Sequence, residues 1–188
     1  MTSEQESLFT FLNHSLAIVT LIGFIIVAVW AIDELLLCLG LYKGHRLLYR
    51  TIARHALPLG FIATLGATIL SLVYSDYLGV LPCGLCWFQR VSIYSQMFIL
   101  GLAWWKRDTK VWAYSTVLSV FGLIVALYHQ YLQLGYSELL PCPAIASTVD
   151  CANPTFMEYG FVTFPFMSVV LFIFLLLLSQ MVKRYTAK

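Results

Sequence analysis

Charge is what this chain has least of. Only 11% of its 188 residues are Asp, Glu, Lys or Arg, against 61% apolar, and the mean hydropathy is +0.85. Water-soluble domains carry about a quarter charged residues, so an ordinary soluble domain is excluded and the chain reads as an integral membrane protein. The net charge of +2 comes from basic residues scattered along the chain, which leaves no patch for nucleic acid. No solenoid-length repeat and no low-complexity tract is present. The first fifteen residues hold Glu4 and Glu6 but no Lys or Arg. The basic start of a cleaved secretory signal is therefore missing, and the apolar run that follows is expected to stay as a membrane helix. Also missing are a glycine-rich nucleotide fingerprint, a ferredoxin-like cysteine run and a haem-attachment Cys-x-x-Cys-His, since Cys86 is followed by Trp87.

What is present is a series of five apolar runs, at about residues 11–32, 56–74, 87–105, 111–134 and 161–181, each close to the roughly 20 residues that cross a bilayer. The fold class expected is all-α integral membrane, a four-helix core (residues 56–188) with one additional N-terminal transmembrane helix within residues 1–55. Asp33 and Glu34 are expected to end the first helix, with an interfacial stretch after it, and Cys38 to be a buried apolar filler. Pro58 is tolerable in a first turn, Gly60, Ala63, Gly66 and Ala67 allow close helix contact, and Pro165 is expected to kink the last helix near its start. Ten of the eleven Lys and Arg residues fall in the second, fourth and final connectors. The positive-inside rule makes those connectors cytoplasmic. The N-terminus and all four paired cysteines then lie outside, where disulfides form and persist. A multi-pass membrane protein with its N-terminus and both cysteine pairs on the extracytoplasmic side fits that arrangement.

The chemistry concentrates in Pro82-Cys83-Gly84-Leu85-Cys86-Trp87-Phe88-Gln89-Arg90. If a helix begins near Cys86, Cys86 and Arg90 share a face one turn apart. The helix dipole and a fixed positive charge then both favour the thiolate at Cys86, provided that it lies near the membrane surface. Two residues between cysteines make a strained ring, suited to a redox dithiol or a metal knuckle and poor as a structural staple. Cys142 and Cys151, in the next outer loop, could form a structural disulfide or a second redox pair. A four-sulfur zinc site is disfavoured, because eight intervening residues with Pro141 and Pro143 flanking Cys142 give no knuckle spacing, and no metal is expected. Two dithiols on an oxidising face suggest a disulfide relay that must discharge its electrons. The acceptor that needs no large binding domain is a lipid-soluble quinone held between helices. Arg90 could hydrogen-bond a quinone oxygen, or be a snorkelling interfacial residue. His129, near the outer end of the fourth run, could bond the other quinone oxygen, relay a proton, or simply be a satisfied interfacial histidine. Gln89, Ser92 and Gln96 form a polar stripe read as interhelical glue. His14, His45 and His55 carry no specific signal.

Pro-Cys-x-x-Cys followed by an aromatic-Gln-Arg end, with His129 thirteen residues before Cys142 and a second cysteine pair in the next outer loop, resembles the DsbB family of membrane disulfide-bond formation proteins. The resemblance spans about residue 56 to the C-terminus. It implies a thiol:disulfide oxidoreductase, passing electrons from a DsbA-like thioredoxin-fold partner to ubiquinone or menaquinone. It further implies that Cys142 is attacked by the partner, that Cys151 or the first pair resolves the mixed disulfide, that electrons pass to Cys83, and that Cys86 beside Arg90 hands them to the quinone. The family commonly has four spans, so the run at 11–32 is additional and without an assigned role. The closely spaced Cys142/Cys151 pair also leaves less slack for exchange with Cys83. A reductant exporter working outward, a quinone-epoxide-reductase-like relay and a non-enzymatic scaffold with structural disulfides are the rival readings.

Overall fold

The computed structural model describes residues 3–41, 46–142 and 150–186. Long apolar segments in a solvent without hydrogen-bonding capacity must satisfy their backbone internally, and the described residues are accordingly helical, with only an isolated bridge between Glu158 and Val162. The helices are α1 (Ser3–Cys38), a short α2 (Arg46–Arg54), α3 (Ala56–Leu72), α4 (Gly84–Lys106), α5 (Val111–Gln133) and α6 (Phe164–Thr186). Helices α1, α3, α5 and α6 are long and apolar enough to cross a membrane. Helix α4 matches them in length at 23 residues. Its lower apolarity comes from Arg90 and from Gln89, Ser92 and Gln96, the last three buried.

Helices α3, α4, α5 and α6 pack in succession, with α6 returning to α3, and α1 and α2 lie on the outside against α6. Leu100, Trp112, Phe172 and Leu175 fill the centre and are almost fully buried. Small residues set how closely the helices approach. A methyl added at Gly60 would stand 3.2 Å from Leu100 and 3.3 Å from Trp112, and one at Gly101 2.8 Å from the Phe61 ring. One added at Gly122 of α5 would collide with the Phe172 ring of α6. Polar side chains join the same helices: Gln96 Oε1 accepts from Ser115 at 2.6 Å and Ser119 at 3.1 Å, and Thr116 meets Ser179 at 2.6 Å.

Two boundaries differ from the sequence expectation. Helix α1 does not end at Asp33 and Glu34 but runs through them to Cys38. Both carboxylates have partners from elsewhere in the chain: Tyr49 Oη donates to Asp33 at 2.7 Å, and Arg184 pairs with the buried Glu34 at 2.8 Å. With their charge answered, they need not break the helix. Pro165 is the second residue of α6, in a first turn that spends no N–H bond, so the helix starts there instead of bending there. Helix α3 continues into a π-helical turn, Val73–Tyr77, closed by Leu78 N–H donating to Val73 O at 3.0 Å. The side chain of Cys38 and residues 42–45 of the basic connector lie outside the described residues.

The glycine contacts predict opposite outcomes at two positions. Gly122→Ala should destabilise the bundle by about 1–3 kcal/mol through overpacking against Phe172. Gly66→Ala, whose added methyl meets nothing within 4 Å, should be neutral or stabilising through helix propensity. Thermal unfolding of both variants in one detergent checks the pair; equal midpoints would contradict the packing described.

Candidate active site

Helix α4 starts at Gly84, two residues before the start expected near Cys86, because Cys83 is held in an extended conformation (φ −75°, ψ 174°) as the capping residue. Its sulfur takes the place of the usual capping oxygen and accepts the backbone N–H of Cys86 at 3.4 Å. The ionising position at the helix terminus is thus that of Cys83, not that of Cys86. The two sulfurs are 3.2 Å apart as a dithiol. Behind Cys83 stands His129 of α5, fully buried, with Nε2 3.5 Å from the sulfur. Gln89 Nε2 lies 2.9 Å from Nδ1 of the same ring. With that amide donating, Nδ1 accepts and the ring hydrogen sits on Nε2, facing Cys83. Gln133 lies 3.2 Å from Nε2. The hydrogen bond with the Cys86 thiol, opposed by burial and assisted by His129, holds Cys83 well below the ordinary thiol range, at about 4.

Cys142 and Cys151 are bonded to each other, their Cα atoms 6.0 Å apart. The four sulfurs are not separate features. Cys83, Leu85, Leu132 and Cys151 form one buried apolar cluster against which Cys86, Cys142, Tyr128 and Tyr131 pack. Within it Cys151 is fully buried while Cys142 is partly exposed. The bond between Cys142 and Cys151 removes them from a four-sulfur metal site. Among the described residues the group able to hold a metal is Cys83, Cys86 and His129, whose donor atoms lie within 4.8 Å of one another.

On its other side the dithiol faces a cavity of about 390 Å³. Cys83, Cys86, Gln89 and Arg90 line it together with Ala63, Gly66 and Leu70 of α3 and Met167 and Leu171 of α6, and Thr20, Gln133, Asp150, Asn153, Thr155 and Ser168 also stand in the lining. The Arg90 guanidinium donates to the Ser71 carbonyl at 3.0 Å and lies 5.5 Å over the Trp87 ring. Those contacts hold a cation at the cavity wall beside Cys86 while leaving further N–H donors on the fork. His129 is not among the lining residues; it backs the sulfur and does not reach the cavity. Sequence reasoning singled out Cys83, Cys86, Arg90, His129, Cys142 and Cys151. It missed Gln89 as the partner of His129, having read it only as glue, and it missed Ser71, Tyr74 and three residues of α1 in the cavity wall. The polar stripe was the signal for Gln89; nothing marked α1.

The low proton affinity of Cys83 fixes a pH profile. Alkylation of the reduced dithiol by iodoacetamide should be nearly constant from about pH 5.5 to about pH 8 and fall only as the pH drops toward 4, whereas an ordinary thiol gains about ten-fold per pH unit over that range. His129→Ala should move the inflection upward. A wild-type rate that climbs ten-fold per unit through neutrality would contradict the assignment.

Comparison with known proteins agrees with this geometry. The sequence model "Disulfide bond formation protein DsbB" matches residues 53–182. Disulfide bond formation protein C of Bacillus subtilis (strain 168) is 31% identical over 125 residues, covering 65% of this chain and 88% of that protein. A probable disulfide formation protein C 2 of Bacillus anthracis is 29% identical over 140 residues, 73% and 98% of the two chains. The SPbeta prophage-derived disulfide bond formation protein B of B. subtilis is 38% identical over 112 residues, 60% and 74%. No solved structure matches. With a redox-type dithiol capping a membrane helix, a second cysteine pair in the same cluster and more than half of the chain matched, the protein belongs to the DsbB family of disulfide bond formation proteins.

Proposed function

We propose that this chain oxidises a thioredoxin-fold, DsbA-like dithiol protein on the outer face of a bacterial cytoplasmic membrane and passes the electrons to membrane quinone, with residues 56–188 as the catalytic core. The observation that carries the reading is that the Cys83/Cys86 dithiol stands between a second cysteine pair on one side and an apolar cavity ending at Arg90 on the other.

The exposure of the sulfurs supports an order of events. Cys142 is the more accessible member of its pair, so a partner thiolate attacks it, breaks the Cys142–Cys151 bond and leaves Cys151 as thiolate. The partner's second thiol then displaces Cys142 and departs as a disulfide. Cys151, packed in the cluster with Cys83, attacks the Cys83–Cys86 disulfide at Cys83 and frees Cys86. Cys142 next attacks the Cys151–Cys83 bond at Cys151. This restores Cys142–Cys151 and leaves two electrons on Cys83 and Cys86. Each step is thiolate attack on a disulfide, and each breaks one S–S bond as it makes another. The clustering of the pairs answers the short spacing of Cys142 and Cys151, since no long reach is required.

The cavity fits an apolar ring and tail, with a hydrogen-bonding cation at the dithiol end. Ubiquinone or menaquinone bound there would supply a two-electron, two-proton acceptor. Arg90 is the residue to hold a quinone oxygen. Gln89 fixes the His129 ring, and the hydrogen on His129 Nε2 stabilises the Cys83 thiolate. The apolar walls exclude water from the sulfurs.

Cys83→Ser should abolish turnover, and Arg90→Ala should raise the apparent KM for quinone about ten-fold or more, the effect of one lost charge-assisted hydrogen bond. Acid-trapped thiol labelling tests the whole reading: blocking quinone should accumulate reduced Cys83 and Cys86. An unchanged labelling pattern would leave a structural scaffold instead, and turnover retained by Cys83→Ser would refute the relay.

A further inference from the structure

Helix α1 lies outside the residues that match the family, yet it reaches the cavity beside the dithiol. The family match begins at residue 53, so it contains the α3 and α6 walls and not α1. In the structure Leu16, Val19 and Thr20 of α1 line the same cavity as Cys86 and Arg90. The helix is fastened on both sides of that stretch. At the dithiol end the Tyr74 hydroxyl donates to the buried Asn13 at 2.7 Å, and Tyr74 itself lines the cavity. At the basic end Glu34 pairs with Arg184 and Asp33 accepts from Tyr49. Between these fastenings α1 leans on α6, where a methyl at Gly23 would stand 3.8 Å from Val170. It does not close onto α3: a methyl at Gly66, a lining residue, would meet nothing within 4 Å. Helix α1 therefore stands off from α3 across a gap that is part of the cavity.

We propose that α1 is a fixed lipid-side wall of the dithiol cavity, and that Leu16, Val19 and Thr20 determine which hydrophobic oxidant is admitted. The inference rests on the quinone reading above and deepens it. Helices α3 and α6 alone would bound a groove open to lipid. The added helix turns that groove into a slot whose width is set by three side chains of α1 facing the α3 small-residue surface. The occupant of the slot is the apolar tail of the quinone, because Arg90, the one cation among the described lining residues, draws the ring oxygens, and Ala63, Gly66, Leu70 and Leu171 offer the remainder only carbon. A quinone ring held at Arg90 leaves its tail to run between α1 and α3, so the α1 side chains act on the tail more than on the ring.

The test uses the full-length oxidised protein in detergent and two probes, a decyl-tailed benzoquinone and the same ring without a tail. Equilibrium binding is read by quenching of tryptophan fluorescence. Val19→Phe and Thr20→Phe, which overfill the slot, should weaken binding of the tailed probe about ten-fold or more and leave the tail-free ring unaffected. Ile25→Phe, at an exposed position on α1 that does not line the cavity, should behave as wild type. As a second measurement, p-benzoylphenylalanine incorporated at position 19 should form a photo-adduct with the tailed probe, identified by mass, and at position 25 it should not. Wild-type binding with unchanged affinity in both wall variants and no adduct at position 19 overturns this inference alone. If the wild type binds neither probe, the functional reading falls and this inference falls with it.

Discussion

Lipid offers no hydrogen-bond partner, and the arrangement of this bundle follows from that constraint. Several polar side chains of the helices are matched across the bundle: Gln96 Oε1 takes both Ser115 and Ser119, Thr116 meets Ser179, and Gln130 joins Thr163 and the Phe161 carbonyl just ahead of α6. Arg90, the one basic residue outside the connectors, is answered by the Ser71 carbonyl and the Trp87 ring. These pairings do more than offset desolvation. Those of Gln96 and Thr116, and the bond from Arg90 to the Ser71 carbonyl, each join a particular pair of helices at a particular height, so they set the register that brings His129 of α5 opposite Cys83 at the start of α4. Apolar packing alone would tolerate sliding; matched polar groups in hydrocarbon do not.

The close contacts between small residues and rings act in the same direction. Phe172 fits over Gly122 and Phe61 over Gly101, which leaves α5 and α3 little freedom against their neighbours. The dithiol end contrasts with this. There the chain is built from a π-helical turn, a proline-led cap and a loop closed by Cys142 and Cys151. Sulfur exchange needs bond angles to change while the surroundings stay fixed. A rigid four-helix body with its reactive atoms in the first turn of one helix and in a loop meets both demands.

Much of this was legible in the sequence where the signal is contiguous. Cys83, Cys86 and Arg90 lie within eight residues of one another, and their common location survives any error in the fold. The membrane class followed from composition, because no packing arrangement in water covers so much apolar surface. The start of α4 was not legible, because it depends on the backbone angles of Cys83, which no residue type dictates. The continuation of α1 through Asp33 and Glu34 was hidden for another reason: their partners, Tyr49 and Arg184, are distant in sequence. The share of α1 in the cavity left no trace at all. A helix that is apolar on every side has no periodicity to tell which face meets protein and which meets lipid.

The capping role of Cys83 has a thermodynamic counterpart. Whatever weakens the hold of that sulfur on its proton also lowers the energy of the reduced pair relative to its disulfide. In the relay proposed above, the backbone N–H of Cys86 and the His129 ring would thereby make the oxidised form a better acceptor for electrons from the Cys142/Cys151 pair. The burden would then fall on the last transfer, in which a comfortable thiolate must be emptied, with the guanidinium at the cavity wall supplying the opposing pull.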